Sequence, residues 1–288
     1  MTFWSKTVST LAIGGLVLGL AACADTSSDT QHSSAAESQS LETPPSISVK
    51  DGATEVNPTV PVEVTGENEL KSVTMVNEVG YEVESVLSDD RKTWKTDEVL
   101  GYNRSYTIEA TDVEGNTTSA SFTTPQPTSQ SAVSMVPLPD STVGIGQTIN
   151  FRFAGTVYDR QAVQDAITIE TSNDTVGAFY WISNSELRWR PKEYWEPGTK
   201  VSVDADIYGV DMGNGMWGSK DNSASFTIGD DVRAVVDDAT KTMTVTRNGE
   251  TLRSVPVSLG RPEYATPNGT YLVGDQHNEL VMDSTTFG

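Results

Sequence analysis

The chain has 288 residues, enough for about two domains of typical size or three small ones. Its 19 Lys and Arg against 40 Asp and Glu give a net charge of −21, which repels nucleic-acid phosphates and anionic lipid headgroups, so neither is expected as a partner. A hydrophobic fraction of 36% supports packed cores, while one cysteine and two histidines exclude a disulfide framework, a Cys/His zinc site and an iron–sulfur cluster. No metal or cofactor is expected.

Residues 1–23 have the features of an export signal. Lys6 supplies the positive charge at the start, and the apolar stretch 11–20 is shorter than the roughly 20 residues of a membrane-spanning helix. The Leu-Ala-Ala-Cys sequence that ends at Cys23 resembles the bacterial lipobox, which implies a diacylglyceryl group on this cysteine and cleavage just before it. The alternative is an ordinary signal peptide cut after an A-x-A-like site.

Residues 24–44 are rich in Ser, Thr, Gln and Ala and contain no aromatic residue. This composition predicts a disordered tether with a reach of roughly 25 Å, in which His32 is a solvated spacer residue. With a lipidated Cys23, the protein is expected to be exported and anchored through its lipid to the outer face of the cell membrane, facing the cell wall.

The region that follows the tether predicts an all-β fold. Apolar residues alternate with polar ones in short runs separated by Gly, Asn, Asp and Pro, a pattern typical of half-buried antiparallel strands. The alternating residues are Val60, Val62 and Val64; Val73 and Met75; Tyr106, Ile108 and Ala110; Ile149, Phe151 and Phe153; and Val201, Val203, Ala205 and Ile207. One helical turn is predicted for 161–166.

An internal repeat indicates two similar units. The sequence Ser-Ala-Ser-Phe-Thr occurs at 119–123 and again at 223–227, each time after an alternating strand and a polar turn. We interpret the two copies as equivalent last strands of two β-sandwiches, with Phe122 and Phe226 facing their cores.

The repeat divides the middle of the chain into two tandem immunoglobulin-like domains, 45–125 and 130–229. Two prolines interrupt the strand pattern between them, so 124–130 is predicted to be the linker. The turn 211–215 contains Asp and Asn, but it lacks the alternating ligands and closing Glu of an EF-hand loop, and a glycine-rich hairpin is predicted instead.

The segments 187–198 and 201–217 resemble the immunoglobulin-like domain that precedes the catalytic domain in actinobacterial L,D-transpeptidases. The stretch 232–288 resembles the opening of the β-rich YkuD-type catalytic domain of that family, and Thr-Pro-Asn-Gly-Thr-Tyr at 266–271 matches its T-P-x-G-x-Y turn. A hairpin is predicted over 241–258, because an Asn-Gly pair between alternating runs is a strong hairpin signal. Residues 230–288 are accordingly predicted to be an incomplete catalytic domain.

The resemblance implies a peptidoglycan L,D-transpeptidase that forms 3→3 cross-links in cell-wall biogenesis. In this family a cysteine thiolate attacks the stem peptide and the acyl-enzyme passes to an amine of a neighbouring stem, so stem peptides are the expected partners and carbapenem β-lactams the expected inhibitors. The family's catalytic His and Ser-His-Gly-Cys motif are both missing from the chain, which stops at Gly288 before their position. No catalytic residue can be named, and the chain is expected to be truncated and inactive.

The resemblance also carries over two residues beside the substrate groove, Met282 and Phe287, although both could equally be ordinary core residues. The family more often has Tyr at the second position. A Ser/His/Asp triad built from His277 with Asp275 or Asp283 has no supporting motif, and His277 is interpreted as part of an exposed polar turn.

Two further expectations concern contacts in the rest of the molecule. The segments that contain Tyr194 and Trp217 are expected to pack against the catalytic part. Apolar residues of the incomplete domain are expected to lack partners; they are Val235, Val245, Val257, Tyr271, Val273 and Val281.

The alternative function is a non-catalytic, membrane-anchored lipoprotein that binds the wall or serves a structural role.

Overall fold

The computed structural model describes residues 43–274, 278, 279 and 281. Nearly all of the regular secondary structure in these residues is β-strand, as the alternating pattern predicts. The predicted helical turn at 161–166 is confirmed as α1 (Arg160–Asp165), in which the Asp159 side chain accepts a hydrogen bond from the Ala162 backbone N–H. With six residues, α1 is the longest helix of the described part and is far too short to cross a membrane.

The first sandwich is built from seven strands. They are β1 (Ser46–Ile47), β2 (Glu63–Thr65), β3 (Leu70–Asn77), β4 (Ser85–Leu87), β5 (Thr93–Thr96), β6 (Ser105–Asp112) and β7 (Thr117–Thr123). One sheet has the strand order β1-β2-β5-β4 and the other has the order β3-β6-β7. Met75, Trp94 and Ile108 are among the side chains that form the buried core of this sandwich. Two small sheets therefore cover each other's apolar faces.

One alternating residue of the first sandwich does not follow the prediction. Val62 and Val64 are fully buried, but Val60 is 57% exposed. The reason is a local turn, in which the Asn57 side-chain oxygen accepts hydrogen bonds from the backbone N–H and the hydroxyl of Thr59. This Asx-type turn removes Val60 from the strand that its spacing suggested.

The second sandwich contains ten strands. They are β8 (Ser129–Ser131), β9 (Val133–Val136), β10 (Thr142–Val143), β11 (Ile149–Phe153), β12 (Ile167–Thr171), β13 (Gly177–Trp181), β14 (Glu186–Pro191), β15 (Lys200–Ala205), β16 (Met216–Gly218) and β17 (Asn222–Ile228). The two main sheets have the orders β10-β17-β15-β12 and β13-β14-β11-β9, and β8 pairs in parallel with β16. Phe151, Leu187 and Val203 belong to the core of this sandwich.

The repeated pentapeptide occupies equivalent places in the two sandwiches. It lies in β7 and in β17, which are the last strands of their units, and each pairs antiparallel with a preceding long strand, β6 or β15. Phe122 is 2% exposed and Phe226 is 3% exposed. The prediction that both phenylalanines face their cores is confirmed.

The segment 124–130 is more ordered than a simple linker. Thr124 is 1% exposed, and Ser129 already belongs to β8. The two prolines do interrupt the strand pattern, as predicted, but they do so between residues that are held by hydrogen bonds.

A third sheet follows the second sandwich. Its strands are β18 (Val232–Asp237), β19 (Thr242–Arg247) and β20 (Glu250–Pro256), paired antiparallel in the order β18-β19-β20, and a short 3₁₀ helix (Pro262–Tyr264) comes after them. Asn248 and Gly249 have φ angles of 50° and 85°, which are the left-handed values of a two-residue hairpin turn. The predicted hairpin is confirmed.

Candidate functional site

The candidate site begins where the chain leaves the second sandwich. Ile228 is 1% exposed, and the backbone N–H of Gly229 donates to the Val143 carbonyl at 2.7 Å. Both residues belong to the sandwich, and from Asp230 onward the chain enters the three-stranded sheet. The end of β17 therefore sets the position at which this sheet begins.

The Asn248 side chain fastens the hairpin turn to the start of the sheet. Its amide oxygen accepts a hydrogen bond from the Asp231 backbone N–H at 3.0 Å, and its amide nitrogen donates to the Asp230 carboxylate at 3.0 Å. The sequence predicted Asn248 only as a turn residue. Its second role was missed because a side-chain contact over 17 or 18 residues leaves no local pattern.

An arginine links the sheet to the second sandwich. The Arg233 guanidinium donates two hydrogen bonds to the Asp231 carboxylate, at 2.7 and 2.8 Å, and lies 5.0 Å from the centre of the Tyr194 ring. The hydrogen bond with Asp231 raises the pKa of Arg233, so the group keeps its charge for the cation–π contact. The expected contact of the Tyr194 segment with the C-terminal part is confirmed.

A second contact lies farther along the chain. Leu272 packs so closely over Gly146 that a side chain at this glycine would overlap with it, and the Tyr194 ring borders the same place. Together with Arg233, Leu272 attaches the C-terminal part to one end of the second sandwich.

The turn at 266–271 is closed by its own tyrosine. The Tyr271 hydroxyl donates to the Pro267 carbonyl at 2.7 Å, and the Thr266 backbone N–H donates to the Leu259 carbonyl at 2.9 Å. The Thr-Pro-Asn-Gly-Thr-Tyr motif thus forms a local turn, held by its own tyrosine and by one backbone hydrogen bond to Leu259, seven residues before its start.

The faces of the third sheet are uncovered. Every residue of β18 is exposed, and none of the residues of β19 or β20 is fully buried. The exposed fractions are 63% for Val235, 67% for Tyr271, 86% for Val273 and 91% for Val281, and Val245 and Val257 are partly exposed. The expected exposure is confirmed for Val235, Tyr271, Val273 and Val281, but not for Val245 and Val257, which are half-buried. The sheet therefore presents apolar side chains to solvent.

Trp217 does not lie where it was expected. Its ring packs edge-on against Tyr102 of the first sandwich, with the ring centres 5.9 Å apart. The expectation that it contacts the catalytic part was wrong. The tight turn of 211–215 was predicted correctly, but it directs Trp217 towards the opposite end of the second sandwich, because β16 pairs with β8 at the beginning of that sandwich.

The predicted site residues lie outside the described part of the chain. This holds for Cys23, Met282 and Phe287, and also for His277, so their roles stay predictions. The described residues include no cysteine or histidine, and no group of three or more metal-ligating side chains lies among them. What the structure describes of this site is therefore a scaffold, without a thiol nucleophile or an imidazole base.

Two family models match the chain. One, described as a bacterial Ig domain, matches residues 53–211, and the other, described as an L,D-transpeptidase catalytic domain, matches residues 231–287. The second match begins within two residues of the place where the structure leaves the second sandwich.

Curated relatives point the same way. The chain is 43% identical over 245 residues to L,D-transpeptidase 2 of Mycobacterium tuberculosis, covering 84% of this chain and 60% of that protein. It is 28% identical over 250 residues to L,D-transpeptidase 5 of the same species, covering 83% of this chain and 55% of that protein. The chain thus spans somewhat more than half the length of these relatives.

A similar solved structure is that of an L,D-transpeptidase in complex with imipenem. Its sequence is 36% identical to this chain. The match covers 56% of this chain and 67% of that chain, with a TM-score of 0.45.

Proposed function

The chain belongs to the bacterial Ig-domain family, and we propose that it is the stalk and the first part of the catalytic domain of a peptidoglycan L,D-transpeptidase. The observation that carries the proposal is the C-terminal sheet. It matches the L,D-transpeptidase catalytic domain over 231–287, and the structure holds it against the second sandwich through Arg233 and Leu272 with its apolar faces uncovered.

The proposed reaction is an acyl transfer between two stem peptides. A cysteine thiolate attacks the carbonyl carbon that precedes the terminal D-alanine of one stem, the C–N bond breaks, and D-alanine leaves with a proton. An amine of a second stem then attacks the thioester, which forms the 3→3 cross-link and frees the thiol. We propose that Met282 and Phe287 lie beside the substrate groove in this reaction.

The first experiment is to read the coding DNA beyond codon 288 for an in-frame Ser-His-Gly-Cys motif and to assay the product of that reading frame. The proposal expects the longer protein to exchange or cross-link tetrapeptide stems. If the motif is absent and a stop codon follows directly, the alternative of a non-catalytic lipoprotein with immunoglobulin-like domains gains the stronger support.

We expect the 288-residue chain by itself to form no adduct with a carbapenem. Its only thiol is Cys23, which belongs to the proposed lipobox and not to the candidate site. The measurement is the intact mass after incubation with imipenem, with the longer gene product as the positive control. A mass increase equal to one imipenem on the 288-residue chain would contradict the assignment of a cysteine nucleophile outside these residues.

We also propose that Cys23 carries a lipid that holds the protein on the outer face of the cell membrane. A single acyl chain binds membranes only marginally, and the several chains of a bacterial lipoprotein anchor it stably. We expect Cys23→Ala to move the protein from the detergent phase to the aqueous phase, or to stop its processing, while Ser28→Ala in the tether changes neither. A Cys23→Ala protein that is still cut at the same site and still partitions into detergent would contradict the proposal.

A further inference from the structure

The two sandwiches meet at a contact that we call the joint. From the first sandwich it contains the loop around Tyr102, between β5 and β6, and the turn at Asn57. From the second sandwich it contains the segment 208–209 after β15, and the end of β16 at 217–218. The joint is separate from the covalent connection at 124–130.

Tyr102 forms the centre of the joint. Its hydroxyl accepts a hydrogen bond from the Gly209 backbone N–H and donates one to the Gly218 carbonyl, each at 2.8 Å. Burial raises the pKa of Tyr102 to about 12, so the hydroxyl keeps its proton at physiological pH and remains a donor. One side chain of the first sandwich thereby connects two separate segments of the second.

Two more hydrogen bonds cross the joint. The Tyr208 hydroxyl donates to the Leu100 carbonyl at 2.8 Å, and the Asn57 side-chain amide donates to the Gly209 carbonyl at 3.3 Å. The bonds therefore run in both directions, because each sandwich contributes a tyrosine that reaches the backbone of the other.

Aromatic packing fills the space between these bonds. The rings of Tyr102 and Tyr208 have their centres 4.8 Å apart, and the Trp217 ring packs edge-on against Tyr102 at 5.9 Å. Both distances lie in the range in which aromatic pairs attract each other. The hydrogen bonds are thus surrounded by rings that partly exclude water, which strengthens them.

Gly209 allows the two backbones to approach closely. Its φ angle is +79°, and a Cβ atom there would lie 2.7 Å from the Asn57 Oδ1 atom and 2.7 Å from the Thr59 Cγ2 atom. Both the conformation and the space therefore require glycine.

The covalent connection is held at both of its ends. Thr124 donates from its hydroxyl to the Gly101 carbonyl at 2.7 Å, on the side of the first sandwich. The Thr128 backbone N–H donates to the Gly215 carbonyl at 2.9 Å, on the side of the second. Three residues lie between these anchors, and two of them are Pro125 and Pro127, whose rings restrict their φ angles.

We infer that the two sandwiches form one rigid body, because the contacts of Tyr102 and Tyr208 at the joint prevent hinge motion. The reason is geometric. The segment 124–128 is anchored at Gly101 and Gly215, next to Tyr102 and Trp217 of the joint, so a hinge rotation about this segment would pull apart the groups that are hydrogen-bonded across the joint. The inference does not depend on the proposed enzymatic activity.

The test measures the distance between the sandwiches in solution. Spin labels are attached to Glu109→Cys on β6 and Thr168→Cys on β12, two exposed positions, in a protein that carries Cys23→Ser so that no third label is present. We expect one narrow distance distribution from double electron–electron resonance. In the Tyr102→Ala protein we expect a clearly broader one, and in the Tyr102→Phe protein, which keeps the ring and loses the hydroxyl, an intermediate width.

The matched control is Tyr180→Ala, which removes a tyrosine that is 68% exposed on β13, outside the joint. It is expected to leave the distribution narrow. Circular dichroism in the near ultraviolet establishes that each variant is folded, and if Tyr102→Ala is not, Tyr208→Phe decides the question in the same assay. A broad distribution in the protein without joint substitutions, or equal widths for folded Tyr102→Ala and Tyr180→Ala, would overturn the inference.

Discussion

Replacing Phe226 with alanine is expected to destabilise the second sandwich by about 3–5 kcal/mol, the usual cost of removing a buried phenylalanine. The side chain is 3% exposed, and it lies in β17 opposite Val201 of β15, at the centre of one of the two main sheets. Because β17 is hydrogen-bonded on both sides, by β10 and β15, the backbone cannot collapse easily into the cavity left by the ring. Chemical denaturation followed by tryptophan fluorescence measures the change in the free energy of unfolding.

The repeat supplies the comparison for this experiment. Phe122→Ala removes the equivalent ring from the first sandwich, where it is 2% exposed, and a loss of similar size is expected there. Val235→Ala is the control, because this side chain is 63% exposed in β18 and surface substitutions usually change stability by less than about 0.5 kcal/mol. If Phe226→Ala behaved like Val235→Ala, the repeated phenylalanine would not be a core residue.

Limited proteolysis is expected to remove most of residues 230–288 and to leave 45–229 intact. Protease cleavage needs a segment of backbone that can leave its hydrogen bonds, and such openings cost least where few apolar contacts hold the chain. Lys241, with a side chain 58% exposed, lies in the turn between β18 and β19 of this sheet and is the expected first site for trypsin. Gel electrophoresis with mass spectrometry of the fragments over time gives the order of cleavage.

The two sandwiches contain suitable internal controls. Arg188 and Lys200 lie in β14 and β15, which are paired on both sides inside closed sandwiches, so cleavage after them is expected to be far slower than cleavage after Lys241. In a longer protein that contains the complete catalytic domain, the same sites should be protected from trypsin. A tail that is as resistant as the sandwiches would show that 230–288 is stable without such a cover.

The sequence by itself determined the fold class, the repeat and the hairpin. Alternation with period two depends only on which face of a strand is buried, so Tyr106, Ile108 and Phe151 were placed correctly without a structure. The Asn248-Gly249 turn is also local, because its left-handed φ angles need those two residue types and no distant partner. The turn at 266–271 that carries the family resemblance is also local, because the Tyr271 hydroxyl donates its hydrogen bond to the Pro267 carbonyl, only four residues earlier.

Tertiary structure alone decided which residues join the parts of the molecule. Tyr102 and Gly218 are 116 residues apart and Tyr208 and Leu100 are 108 apart, and neither pair has a spacing that a sequence pattern could show. Trp217 was assigned to the wrong end of the second sandwich for the same reason: its neighbours are set by the pairing of β16 with β8, which is a long-range contact. Local periodicity predicts which face of a strand or helix is buried. Which other element packs against that face depends on long-range contacts that form only when the whole chain folds.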